Sequence, residues 1–229
     1  MKLLLSAAAL GLALGASSAS ALVVQDNGAY TLSYDETTSL GYLSSWFSSS
    51  NDTYGFSWNL DSGIQAISEG GSTVNAFSLP DFVLSANSGY VLGGNVSAFL
   101  GNLVFNQLGA AASTGATVSA MISVDGGPAI AFGGPLDQVI TASSGNFTSG
   151  YFSVETSQNF GNFSSLSVSA VTLTLSAEGG TFASVLSQPQ NKLEVSFQAV
   201  PVPEPETYAM LLSGLAALAW VARRRRRCD

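Results

Sequence analysis

Leu166-Ser167-Val168-Ser169-Ala170-Val171-Thr172-Leu173-Thr174-Leu175-Ser176 alternates apolar and hydroxyl-bearing side chains, but in two phases. Leu166, Val168 and Ala170 stand at even positions; Val171, Leu173 and Leu175 stand at odd ones. A period of two marks a strand with one buried face. A slip of one residue would turn that face to solvent, so the stretch predicts a strand carrying a β-bulge near Ala170 and Val171.

The same period recurs on both sides. Tyr30, Leu32 and Tyr34 alternate with Thr31 and Ser33. Tyr54, Phe56 and Trp58 alternate with Gly55, Ser57 and Asn59, which assigns the aromatic trio to the core. Val118, Ala120, Ile122 and Val124 end at the turn signal Asp125-Gly126-Gly127-Pro128, and Leu193, Val195, Phe197 and Ala199 run towards a Pro-rich segment. Residues 87–112 are ambiguous. Leu92, Val96, Phe99 and Leu103 have helical spacing, yet Gly93, Gly94 and Gly101 each weaken a helix. Leu103 and Phe105 alternate, which favours strands there. Many short strands joined by Gly, Ser and Asn turns predict an all-β, antiparallel β-sandwich of jelly-roll type.

The composition excludes whole classes of chemistry. The 229 residues include no His and one Cys, so Ser-His-Asp and Cys-His machinery, His-ligated metal and an intrachain disulfide framework are all ruled out. A net charge of −8 argues against nucleic acid, whose phosphates need clustered Lys and Arg.

The ends read as addresses. Lys2, the Leu/Ala-rich run from Leu3 to Gly15 and the small-x-small pattern Ala19-Ser20-Ala21 make residues 1–21 a secretory signal peptide, with signal peptidase cutting before Leu22. Near the C-terminus stand Pro201, Pro203, Glu204, Pro205 and Glu206, a proline-rich stalk over 201–206. An apolar segment, Thr207 to Ala222, is expected to be a single transmembrane helix, although 16 residues span only about 24 Å. Arg223, Arg224, Arg225, Arg226 and Arg227 then fix a cytoplasmic end over 223–229 by the positive-inside rule.

Pro203-Glu204-Pro205, the short apolar helix and the terminal Arg cluster together resemble the PEP-CTERM sorting signal of Gram-negative bacteria. The resemblance covers only Pro203 to Asp229. It implies that an integral-membrane exosortase recognises Pro203, Glu204 and Pro205 and removes the anchor, while Arg223 to Arg227 hold the precursor in the inner membrane. It also implies release to the cell surface or extracellular matrix, in the company of exopolysaccharide and biofilm.

Between the ends lie residues 22–200. Removing the signal and tail leaves twelve acids against Lys192 alone, a net charge of −11. That surface repels phosphates and anionic lipid. Acid-base catalysis would fall to carboxylates, and Asp35-Glu36 would point to opposite faces of a strand; no enzyme is expected. No cofactor is implied. Calcium is the one metal with candidate ligands, Asp61 in Asn59-Leu60-Asp61-Ser62-Gly63 and Asp125 in Asp125-Gly126-Gly127, and Asp-Gly turns explain both more simply. Trp46 and Phe47 stand in a Ser-rich stretch read as a loop, where they are the candidate glycan contacts. The sequons at Asn51, Asn95, Asn146 and Asn162 are assigned no role.

The sequence therefore predicts an exported, non-enzymatic sandwich, structural or adhesive in a polysaccharide matrix. The alternative reading is a carbohydrate-binding module or lectin, calcium-dependent or not; a polysaccharide hydrolase ranks below both.

Overall fold

A computed structural model describes residues 22–35, 43–48, 52–132, 136–188, 192–202 and 205–225. The first strands are β1 (Leu22–Asp26), β2 (Tyr30–Asp35), β3 (Leu43–Ser48), β4 (Thr53–Asn59) and β5 (Gln65–Ser68). Next come β6 (Ser72–Ser78), β7 (Phe82–Ala86), β8 (Tyr90–Leu108), β9 (Ser113–Val124) and β10 (Ile130–Ala131). The chain continues through β11 (Leu136–Thr141), β12 (Thr148–Asn159), β13 (Ser165–Glu178), β14 (Phe182–Leu186), β15 (Lys192–Pro201) and the helix α1 (Pro205–Arg225).

The strands form two sheets, and every pairing between them is antiparallel. An eight-stranded sheet runs β1-β2-β7-β13-β9-β10, with β6 also on β13 and β11 also on β9. A seven-stranded sheet runs β3-β4-β15-β8-β14-β5, with β12 also on β8. The two share one apolar core, the sandwich solution for sheets that each have one greasy face. Aromatic rings stitch it across the gap. Tyr30 meets Phe197 at 4.9 Å, Phe56 meets Phe82 at 5.1 Å and Tyr34 meets Trp58 at 6.2 Å, all edge to face. Phe56 and Trp58 are buried as expected, whereas Tyr54 is half-buried.

The phase slip in β13 is a bulge. Ser169 faces Met121 and Thr172 faces Ser119, so Ala170 and Val171 together oppose Ala120. Ala170 has φ 52°. Leu166 and Val168 before it and Val171, Leu173 and Leu175 after it are all buried. Ala170, counted above with the inward set, is the extra residue and turns outward. The bulge lies where the other edge of β13 changes partner from β7 to β6, and there the Leu79 N–H donates to the Val171 carbonyl at 2.9 Å.

Two similar slips explain the ambiguity over 87–112. In β8, Ser97 faces Ser196 and Gly93 faces Gln198, so three residues, Gly94 to Val96, oppose Phe197. Further on, Leu103 faces Phe152 and Gly101 faces Ser153, which leaves Asn102 over at φ 62°. Each slip moves the inward phase, so Leu92, Val96, Leu100 and Leu103 are buried in one continuous strand while imitating helical spacing. Phe99, included in the apparent helical stripe, shares the outward side with Ser97 and is half-exposed; Leu100 faces the core.

At the tail, sheet pairing reaches further than the stalk reading implied. Pro201 pairs with Tyr90, and the Val202 N–H donates to the Gly89 carbonyl at 2.8 Å. Helix α1 begins at Pro205 and ends at Arg225, wider than the expected 207–222. No helix among the described residues is long and apolar enough to cross a membrane. The expected helix is present, its apolar run bounded by Glu206 at one end and Arg223 to Arg225 at the other.

Candidate functional site

Trp46 and Phe47 are not in a loop. They lie in β3, where Trp46 pairs with Gly55 and Phe47 with Tyr54. Adjacent strand residues face opposite ways, so the two aromatics separate. Phe47 shares the row of Tyr54, 4.5 Å away and tilted by 36°, at the open edge of the core. Trp46 takes the outer face. Its indole lies across Gly55 so closely that a Cβ there would overlap the ring, which is why that position is glycine. The indole Nε1 is buried without a hydrogen-bond partner. Beside it, the Ser44 and Ser57 hydroxyls bond at 3.0 Å.

The Trp46 row continues across the sheet through Gly55, Ser196, Ser97 and Ser157. Next to it the outer face is indented by a hollow of about 370 Å³. Ser196 and Gln198 of β15 line its middle, Thr53 of β4 one wall, and Gly94, Asn95 and Ser97 of β8 with Asn159 of β12 the other. The bulge in β8 makes the room. Gly94 has φ 75°, a conformation that favours glycine, and a Cβ on it would come within 2.7 Å of the Gln198 Oε1 and push that side chain aside. The Gly161 N–H donates to Asn159 Oδ1 at 2.8 Å, and Asn159 Nδ2 donates to Asn95 Oδ1 at 3.0 Å. This relay sets the Asn95 amide, whose NH₂ group has no hydrogen-bond partner among the described residues. None of the lining side chains is charged.

One row further along the same face stand Glu194, Phe99 and Glu155, side by side on β15, β8 and β12. The Phe99 ring covers Gly101 as Trp46 covers Gly55. The two carboxylates are two strands apart, roughly 10 Å at the backbone. Sequence reasoning passed over this face because its residues are scattered across β3, β4, β8, β12 and β15. The signals present were Gly55 opposite a tryptophan and the Gly93-Gly94-Asn95 break in β8.

The calcium candidates are turn residues. Asp61 Oδ1 accepts the Gly63 N–H at 3.0 Å and the Ser62 hydroxyl at 3.3 Å. Asp125 Oδ1 accepts the Ser164 and Ser165 N–H groups, each at 2.8 Å, tying the β9 turn to the start of β13. No group of three or more metal-type ligands occurs among the described residues. Asp35 ends β2, and Glu36 lies outside the described residues, so the pair does not form a described constellation.

Among the tyrosines, burial pushes the Tyr30 phenol up; the nearby Ser45 hydroxyl pulls it partly back without reaching hydrogen-bond geometry. Burial also raises Tyr54, helped by Tyr90 and Asp52.

Of the sorting residues, Pro205 opens α1, Arg223 to Arg225 close it, and Pro203, Glu204, Arg226 and Arg227 lie outside the described residues. Ala19 and Ala21 lie outside them too, and Leu22 is the first residue of β1.

Comparison with known proteins finds that residues 201–227 match the PEP-CTERM protein-sorting motif. No curated protein matches the chain. Among solved structures, that of TmCBM61 in complex with β-1,4-galactotriose is similar at 10% identity, covering 76% of this chain and 88% of that one, with a TM-score of 0.16. So low a score carries no argument about this chain.

Proposed function

We propose that this chain is an exported protein sorted through its tail by an exosortase, which delivers the β-sandwich to the cell surface or extracellular matrix. The observation that carries this reading is the sorting motif over 201–227. Signal peptidase removes residues 1–21, the tail keeps the precursor at the inner membrane with Arg223 to Arg227 on the cytoplasmic side, and the exosortase cuts near Pro203-Glu204-Pro205.

The layout of the sandwich supports both cuts. Leu22 already belongs to β1, and the last sheet bond is made by Val202, so processing next to either site spares the strands. The work at the destination is structural or adhesive, in a hydrated exopolysaccharide. On the eight-stranded sheet, Ser165, Ser167, Ser169, Thr172, Thr174 and Ser176 of β13 alternate with its buried residues, in register with Thr117, Ser119 and Ser123 of β9. Such a face hydrogen-bonds to water and hydroxyls without charge.

The test is intact mass with C-terminal peptide mapping of the protein from its native host, in membrane, surface and medium fractions. A surface or medium form that begins near Leu22 and ends near Pro203-Glu204-Pro205 is expected. A form that keeps Arg223 to Arg227 in every fraction would overturn the reading in favour of a stable anchor.

A further inference from the structure

We infer that the outer face of the seven-stranded sheet binds a neutral polysaccharide, with the amide-lined hollow taking its hydroxyls and Trp46 stacking on a sugar ring. This inference stands on the sheet face and not on the tail.

Four observations converge on that ligand. The hollow has the volume of a small-ligand site, yet it opens along a sheet face, which suits a length of polymer better than an enclosed metabolite. Apart from Gly94 and Phe197, its lining residues carry hydroxyl or carboxamide groups, which both donate and accept, as sugar hydroxyls do. The relay from Gly161 through Asn159 presents the Asn95 NH₂ as an oriented donor. Beside it Trp46 supplies a broad apolar surface pinned flat by Gly55, so little rotamer freedom is lost when a ring stacks on it.

Spacing extends the case. Trp46 and Ser196 are two strands apart, roughly 10 Å, and Phe99 is three strands from Trp46, roughly 14 Å. A chain crossing the strands along the Trp46 row would meet the indole and then the polar hollow, with Phe99 one row to the side. Charge then selects the polymer. The domain carries −11, the hollow contains no Lys or Arg, and Glu155 and Glu194 stand one row beyond its Ser97 and Ser196 edge, so uronate- or sulfate-bearing chains are repelled.

The experiment is affinity electrophoresis and calorimetry of the full chain in mild detergent. The probes are soluble β-galactan, β-glucan, xylan and mannan, with alginate as the anionic polymer. Retardation by at least one neutral polysaccharide is expected, with none by alginate. Trp46→Ala and, separately, Asn95→Ala should each weaken binding tenfold or more, while Ser72→Ala, exposed on β6 of the opposite sheet, leaves it unchanged. Asn95→Ala decides the matter if Trp46→Ala fails to fold. Binding should also quench tryptophan emission, and Trp46→Phe should abolish most of that quench. Three results would overturn the inference: no retardation by any neutral polymer, binding indifferent to Asn95→Ala, or binding to alginate alone. Self-association of the chain through this face, lost in the same variants and without glycan binding, would overturn it as well.

Discussion

Ala170 is the one residue of β13 that a straight strand would not contain, and replacing it with glycine should stabilise the protein. At φ 52° an alanine sits in the left-handed region, where its Cβ crowds the following carbonyl at a cost of about 1–2 kcal/mol. Glycine escapes that crowding but gives the unfolded chain more freedom, a loss of about 0.5–1 kcal/mol. Ala170 is exposed, so no core contact enters the difference. The net gain for Ala170→Gly is therefore roughly 0.5–1 kcal/mol, or a rise in Tm of about 1–4 °C for a domain of this size. Ala170→Val should move the other way by 1 kcal/mol or more (about, on the same grounds), because a β-branched side chain tolerates positive φ worst. Urea unfolding of both variants measures this, with an unchanged m-value showing that the fold is kept. Deleting Ala170 is the companion experiment. It would leave Leu166, Val168, Val171, Leu173 and Leu175 in unbroken alternation and give Val171 the vacant partner Ala120, so the deletion variant should fold. A glycine variant less stable than wild type, together with a deletion that unfolds the domain, would refute the bulge.

Other outcomes follow from the same geometry. Gly55→Val should displace the Trp46 indole, shift its emission to the red and cost about 1–3 kcal/mol by overpacking, measurable by fluorescence during unfolding. A chain ending at Val202 should match the stability of the full-length protein by circular dichroism. One ending at Ser196 loses the buried Phe197 and Ala199 and the pairing of Gln198 to Pro201 with β8, and should fall by about 3–5 kcal/mol or fail to fold. Because burial raises Tyr30, the folded state holds that proton longer than the unfolded state does; its contribution is complete below about pH 10 and is lost as pH climbs through the raised value. Tyr30→Phe should therefore flatten the alkaline limb of a stability–pH profile. Since the hydroxyl it removes is buried without a partner, stability at neutral pH should hold or rise.

Much of the fold was legible because its information is local. Alternation in β2, β4, β9 and β15 identifies strands one at a time, and the slip at Ala170 and Val171 located a bulge from ten neighbouring letters. In β8 the same signal was scrambled, since two slips within ten residues convert a period of two into a semblance of 3.6. Phe47 and Trp46 were misplaced for a related reason. Serines on both sides read as loop, whereas pairing with β4 supplies the hydrogen bonds that make β3 a strand.

The sorting tail needs only contiguous residues in order, so the sequence alone determined it, along with the absence of His chemistry and the acidity of the domain. The tertiary structure decided the rest. Which face Trp46 takes depends on the register between β3 and β4, and the hollow exists only because β8 bulges opposite β15. Side chains more than a hundred residues apart in the chain are set side by side there, by hydrogen-bond ladders that no local pattern encodes.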